Sequence, residues 1–176
     1  NSFDEMFNIS KENRNLFNKN FTINKIIKDY EEKSEDGTIK LRFKLYDENH
    51  IEGVLIPQKN RMTACISSQV GCSLSCKFCA TGTLGLKRNL TASEIYDQVV
   101  LISKKSKEEY GLPLTNIVFM GMGEPLLNYK NVIKALHYIT SEEGLNMSHK
   151  RVTLSTSGIT KMIKKPLPLP NFIKII

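Results

Sequence analysis

The chain has no run of roughly 18 apolar residues, the length a membrane-crossing helix requires, so a membrane span is not expected. It has no secretory pattern at its start, where Asn1-Ser-Phe-Asp-Glu-Met6 is polar and acidic. Cysteine is scarce, with four in 176 residues, and three of those fall within eight positions. That distribution excludes a disulfide framework and points to metal ligation in a reducing compartment, which predicts a cytoplasmic protein. Internal repeats and low-complexity tracts are missing as well. The length is enough for a real core, since a chain of about 150 residues hides roughly 70% of its unfolded surface.

Acidic charge is scarce in one half only. Residues 1–60 carry 10 Lys and Arg against 11 Asp and Glu, whereas residues 61–176 carry 15 against 7. The excess behind the net charge of +7 therefore lies with the clustered cysteines. Such a field favours a polyanion such as RNA, although a solvated lysine-rich surface reads the same way.

The clustered cysteines are Cys72, Cys76 and Cys79, in Gly71-Cys-Ser-Leu-Ser-Cys-Lys-Phe-Cys-Ala80. A closed zinc or iron–sulfur site takes four thiolates; three leave one iron of a cubane cluster open to a substrate. A structural zinc remains the alternative, with Cys65 or His50 as its fourth ligand. Cys65 lies seven residues upstream on an expected strand, an awkward reach.

Residues 1–30 read as helical, with Ser10 capping a turn that leads to Leu16 and Phe17. Thr38–Tyr46 alternates apolar and polar residues, and Ile51–Ile56 returns as a second strand stopped by Pro57, giving an antiparallel hairpin. Met62–Ile66 is a short strand entering the cysteine loop. Thr91-Ala-Ser-Glu94 is a capping box for a helix carrying Ile95, Val99 and Ile102 and ended by Gly111 and Pro113. Asn116–Met120 reads as a strand buried on both faces, Val132, Leu136 and Ile139 as a helix closed by Gly144, and Arg151–Ser155 and Phe172–Ile176 as further strands. Strands alternating with helices predict parallel βα units, whose ligands gather at the C-terminal strand ends. Three loops fall there: the cysteine loop, Gly121-Met-Gly-Glu-Pro125 and Ser155-Thr-Ser-Gly158.

In the second loop, glycines allow close backbone approach and Glu124 can accept hydrogen bonds from an ammonium group; the alternative is an ordinary turn. Ser155 either meets a ribose or carboxylate or belongs to a common Ser/Thr turn. Cys65 is a lone thiol, usually an inert core residue. Glu52 reads from pattern alone as a solvent-facing strand carboxylate. His50, His137 and His149 have no partner spacing.

The C-x-x-x-C-x-x-C spacing at the end of a first strand resembles the radical S-adenosylmethionine (SAM) superfamily. The longer series resembles one family within it. Arg61–Cys72, Cys76-Lys-Phe-Cys-Ala-Thr-Gly82, Arg88-Asn-Leu-Thr91, Gly121–Asn128 and Arg151–Gly158 are similar to the dual-specificity 23S rRNA and tRNA adenine-C2 methyltransferases. The resemblance spans about residues 40–160, and Phe3–Met6 resembles the end of that family's small helical N-terminal domain. It implies an α/β fold: a partial (β/α) radical-SAM barrel over 61–176, a β-hairpin extension over 31–60 and a helical remnant over 1–30. It implies one [4Fe-4S] cluster on Cys72, Cys76 and Cys79, and SAM bound by Gly123, Glu124 and Ser155. One SAM methylates a late cysteine, and the radical from a second SAM takes hydrogen from that methyl group. The carbon radical adds to adenine carbon 2. Glu52, thirteen residues before Cys65, removes the ring proton, and the Cys65 thiolate resolves the adduct as a disulfide. An electron donor such as flavodoxin and a monomeric state are implied too.

The methyl-carrying cysteine has no counterpart, because no Cys follows Cys79. The chain also opens on Asn and stops at Phe172–Ile176, so a fragment unable to turn over alone is expected. The rivals are an adenine carbon-8 rRNA methyltransferase, a radical SAM enzyme of other substrate and a non-catalytic zinc RNA-binding module.

Overall fold

A computed structural model describes residues 2–159 and 174–175. Its strands are β1 (Ile27–Lys33), β2 (Ile39–Lys44), β3 (His50–Gln58), β4 (Arg61–Cys65), β5 (Gln69–Gly71), β6 (Leu86–Asn89), β7 (Asn116–Phe119), β8 (Val152–Leu154) and β9 (Lys174–Ile175). Its helices are α1 (Lys11–Asn20), α2 (Ala80–Thr83), α3 (Ala92–Tyr110) and α4 (Tyr129–Thr140). One sheet runs in the order β1-β2-β3-β4-β7-β8-β9, and β5 and β6 form a separate ribbon. Pairing is antiparallel from β1 to β4 and parallel from β4 through β9. The expected α/β class is present, with α3 and α4 as the crossovers.

The core follows from alternation. Ile39, Leu41 and Phe43 in β2, and Ile51 and Leu55 in β3, point to one face and are buried there. Ile95, Val99 and Ile102 of α3 cover that face, each worth about 1.5–3 kcal/mol when fully buried. The approach is tight at Gly53, where an added Cβ would stand 2.9 Å from Phe43 and 3.0 Å from Ile102. The predicted capping box of α3 is formed: Thr91 Oγ1 accepts Glu94 N–H, and Glu94 accepts Thr91 N–H. Gly111 ends the helix at φ 66°, in the left-handed region.

Several expectations need correction. Among the described residues of 1–30, helix is confined to Lys11–Asn20 and a single 3-10 turn at Phe3–Glu5, and the segment from Ile27 joins the sheet as β1. Every residue of β1 is exposed, so the strand shows no apolar alternation that a sequence pattern could register. Pro57 does not stop β3; it pairs with Met62, and the strand reverses through Lys59 and Asn60 with Lys59 at φ 47°. The hairpin is thus one step of a four-strand antiparallel run continuous with β4. In β7 only Ile117 and Phe119 are buried, while Asn116 and Val118 are half-buried. Helix α4 stops at Thr140, with Ser141 as its cap, before Gly144. Strand β8 begins at Val152, because Arg151 closes a 3-10 turn. Of the expected final strand, Lys174 and Ile175 pair in parallel with Thr153 and Leu154; Phe172, Ile173 and Ile176 lie outside the described residues. The β5–β6 ribbon and α2, short polar elements with no periodicity, were not expected.

Candidate active site

Strands β4, β7 and β8 end at one rim, and the three loops that leave them meet there. One cavity of about 220 Å³ is lined by Cys72, Cys76 and Cys79 on one side and by Gly121, Gly123, Glu124 and Ser155 on the other. Two larger concavities, of about 480 and 660 Å³, are lined by Asn89 with Leu126–Asn131 and by Gln58–Arg61, and neither holds a thiol, carboxylate or imidazole. The predicted rim is therefore assembled, and the chemistry-bearing groups gather in the smallest of the three.

The β5–β6 ribbon brackets the cysteine loop. Gly71 sits at φ 78°, and a Cβ there would fall 1.8 Å from Gly85 O, so only glycine closes the ribbon. Cys72 N–H donates to that same Gly85 O at 3.1 Å. Between them the chain turns through Ser75 at φ 49°, and Cys79 N–H donates to Cys76 O at 3.0 Å. Gly82 in α2 lets the helix pack on Cys76, whose backbone N a Cβ would meet at 3.0 Å. Cys72 is buried, Cys76 and Cys79 are partly exposed, and all are free thiols.

Among the described residues, no three His, Cys, Asp or Glu side chains converge on the position of a single metal ion. A zinc ion needs four ligands at one centre. His50 is held by Asp29, with Nε2 3.1 Å from Oδ2. Cys72, Cys76 and Cys79 line one cavity, and three soft thiols are the donor type that iron–sulfur clusters take.

The Gly-Met-Gly-Glu loop is built by close packing. A Cβ at Gly121 would lie 2.7 Å from Ile66 O, and Gly123 has φ 93° with Gln69 only 2.4 Å from its Cβ position. Both glycines were expected to open the way for a ligand; what they first admit is the loop after β4. Glu124 is buried and its carboxylate is filled by donors. Oε1 accepts Thr156 Oγ1 at 2.6 Å and Leu126 N–H at 3.0 Å; Oε2 accepts Ser157 N–H at 2.8 Å and Ser157 Oγ at 2.9 Å. Ser155, at the end of β8, is half-buried and lines the cavity.

Cys65 and Glu52 stand outside that lining but share a surface. Cys65 pairs with Val54, two residues from Glu52 on β3, so both side chains point to the sheet face opposite α3. Burial pushes the Cys65 thiol above its usual pKa, partly offset by a hydrogen bond from Met120 N–H. Glu52 is half exposed, 3.7 Å from Lys40, and its backbone O accepts Ser67 Oγ at 2.6 Å.

Sequence reasoning missed the buried polar frame. Gln98 of α3 holds Ser67 through N–H to Oε1 at 2.8 Å and Nε2 to Ser67 O at 3.1 Å. Asn128 donates to Ser68 O and Leu90 O, both at 2.7 Å. Gln69 accepts Glu124 N–H at 2.8 Å. Arg88 joins Asp47 at 2.6 Å and Glu94 at 2.8 Å, and holds the Asp47 carboxyl well below the usual carboxylate range. Amides carry no periodic signal, and Arg88 entered only inside a quoted motif.

The comparisons agree with this geometry. The profile of the Radical SAM superfamily matches residues 66–169, more than half of the chain. A protein of Cytophaga hutchinsonii named probable dual-specificity RNA methyltransferase RlmN is 62% identical over 164 residues, covering 93% of this chain and 45% of its own length. Dual-specificity RNA methyltransferase RlmN 2 of Myxococcus xanthus is 48% identical over 168 residues, covering 93% and 44%. The crystal structure of a radical SAM methyltransferase from Sphaerobacter thermophilus superposes with a TM-score of 0.85 at 39% identity, over 99% of this chain and 51% of that one. The chain thus spans about half the length of the relatives it matches. On the strength of the superfamily match, and of the thiol-lined cavity at the strand ends where such a site is expected, the chain belongs to the radical SAM superfamily.

Proposed function

We propose that this chain holds the cluster- and SAM-binding half of a methyltransferase acting on carbon 2 of adenine in 23S rRNA and tRNA. The observation that carries the reading is the single cavity shared by Cys72, Cys76 and Cys79 with Gly121, Gly123, Glu124 and Ser155. The cysteines would hold one [4Fe-4S] cluster, and Glu124, Gly123 and Ser155 the polar end of SAM. When bound, that pair supplies one-electron chemistry that no side chain offers, and carbon 2 of adenine, a poor nucleophile, requires it.

The remaining steps fall to residues of this chain. Glu52 takes the ring proton; its carboxylate is half exposed and stands 3.7 Å from the Lys40 ammonium. Cys65 rests as a thiol, because its burial disfavours the thiolate, and acts once its proton is taken. The two lie on one face of neighbouring strands, as two groups serving one base would need. The basic excess of residues 61–176 supplies phosphate contacts, and the target base leaves its stack to reach the rim. The same reading makes the segment before Ile27, with its one helix, an appendage, β1 to β3 an extension and residues 61–176 the core, in a cytoplasmic monomer served by a donor such as flavodoxin.

The test is anaerobic reconstitution with iron and sulfide. A chromophore that dithionite bleaches, and that is lost in Cys72→Ala, Cys76→Ala and Cys79→Ala alike, supports the reading. Stoichiometric zinc with no visible absorption overturns it. For the enzyme that contains this chain, mass spectrometry of digested rRNA separates 2-methyladenosine from 8-methyladenosine.

A further inference from the structure

Gln69 lies outside the cavity lining but ties the β5–β6 ribbon to the Glu124 loop, and both ends of its amide are engaged. It opens β5, three residues before Cys72, and is fully buried, at 0% exposure. Its Oε1 accepts Glu124 N–H at 2.8 Å and its Nε2 donates to Asn89 Oδ1 at 2.7 Å. Asn89 is its cross-strand partner in β6. The backbone N–H groups of Ser68 and Gln69 both donate to Met122 O, at 2.8 and 3.1 Å. The close approach of Gly123 is fitted to this side chain, as a Cβ there would lie 2.4 Å from Gln69 Cβ and 2.8 Å from Oε1.

A residue serving only to fill space would not be an amide, because burying one is costly unless its polar atoms are bonded. Here those bonds run between the two loops that matter. One goes to the ribbon that brackets the cysteine loop, the other to the backbone of the residue whose carboxylate faces the cavity. Thr156 and Ser157 already occupy that carboxylate, so an incoming ammonium must exchange with a hydroxyl. The Leu126 and Ser157 N–H groups still hold the carboxylate during the exchange, and Gln69 holds the Glu124 backbone independently of it.

We propose that Gln69 is a positioning residue that couples the cysteine loop to Glu124: loading the cysteine site orders the β5–β6 ribbon, and Gln69 transmits that order to the Glu124 loop, raising its affinity for the amino-acid end of SAM. This rests on the reading of the cavity as the cluster and SAM site. Gln69→Met keeps the volume and removes both hydrogen bonds. Gln69→Glu keeps the acceptor for Glu124 N–H, and Asn89 can turn its amide to donate to the new carboxylate.

The experiment measures iron and sulfide per chain and the Kd for SAM by equilibrium dialysis, on the full chain and both variants after reconstitution. All three are expected to load equally. Gln69→Met weakens SAM binding about tenfold, or about 1.4 kcal/mol, and Gln69→Glu restores it to within about twofold. Wild-type affinity in Gln69→Met, or equal loss in Gln69→Glu, overturns the coupling and leaves the site reading standing. In the unmutated chain, loading the cluster without SAM slows hydrogen exchange across residues 121–126. Unchanged exchange there overturns the coupling whether or not the variants fold. An unmutated, cluster-loaded chain that binds no SAM overturns the site reading and the coupling together.

Discussion

Two regions of the sheet, its β1 edge and the β7–β8 rim, are held by opposite means. At the β1 end the contacts are charged and exposed. Arg42 pairs with Asp29 at 3.1 Å, Lys33 with Glu109 at 2.6 Å, and Lys105 with Glu31 at 2.9 Å and Glu109 at 3.1 Å. At the β7–β8 end they are buried and mostly neutral, with amides, hydroxyls and backbone groups arranged about the single carboxylate of Glu124. Exposed pairs are weak and screened by salt. Buried polar groups contribute little net stability when satisfied, yet are costly to leave unpaired. The first arrangement tolerates change and keeps an outer strand from pairing with other chains; the second fixes loop positions and tolerates almost none.

The sharpest break in that comparison comes from matched glycines. Gly123→Ala places a methyl group against buried Gln69 at φ 93°, adding overpacking to backbone strain, and should cost about 4 kcal/mol in urea denaturation. Gly85→Ala has a positive φ of 66° but nothing within 4 Å, so it carries strain alone and should cost about 1 kcal/mol. Equal losses would mean that strain, and not the fit to Gln69, governs the loop.

Glu124→Ala comes next. It removes the acceptor for Thr156 Oγ1, Ser157 Oγ and the N–H groups of Leu126 and Ser157. The hydroxyls can turn to new partners but the backbone donors cannot, which predicts a loss of about 2–3 kcal/mol together with loss of SAM binding. Destabilisation with SAM binding intact would make Glu124 purely a clasp between two loops.

The same contrast decides what the sequence revealed. Apolar periodicity located the strand β2 and the helix α3, because burial on one face leaves a pattern, whereas β4 and β7 were legible as short apolar runs. It missed β1, whose exposed residues follow charge pairing with β2 and α3. Cys72, Cys76, Cys79 and Glu124 were legible because their residue types and spacing carry chemistry. Gln69, Gln98 and Asn128 were not, since an amide is read only through its partners, and the ones that tie these three to other loops lie 20 or more residues away.

Arg88 lies between the two regimes, with its side chain partly exposed and Glu94 buried beside it. Arg88→Ala strands Glu94 with only its helix-cap donors and leaves Asp47 in the β2–β3 turn with only its Asn49 donors, which predicts a loss of about 2 kcal/mol. Asp47 has a depressed folded pKa, so its contribution is fully present above the unfolded carboxylate value of about 3.9 and is lost as the pH falls below it. Urea midpoints measured between pH 5 and pH 2 should therefore fall more steeply in the unmutated protein than in Arg88→Ala. Parallel curves would assign the acid sensitivity to other carboxylates.

The smallest effect is expected at the β1 end. Lys105→Met keeps the helix propensity and most of the aliphatic stem while removing the cation that joins Glu31 to Glu109. Lys33 still reaches Glu109, and Lys28 still reaches Glu31, so neither carboxylate is left alone. The cost should stay below about 1 kcal/mol and shrink further in 1 M salt, where the screening length drops to about 3 Å. A loss that persists in high salt would place Lys105 among the buried, unscreened contacts and bring the outer strand under the same rules as the rim.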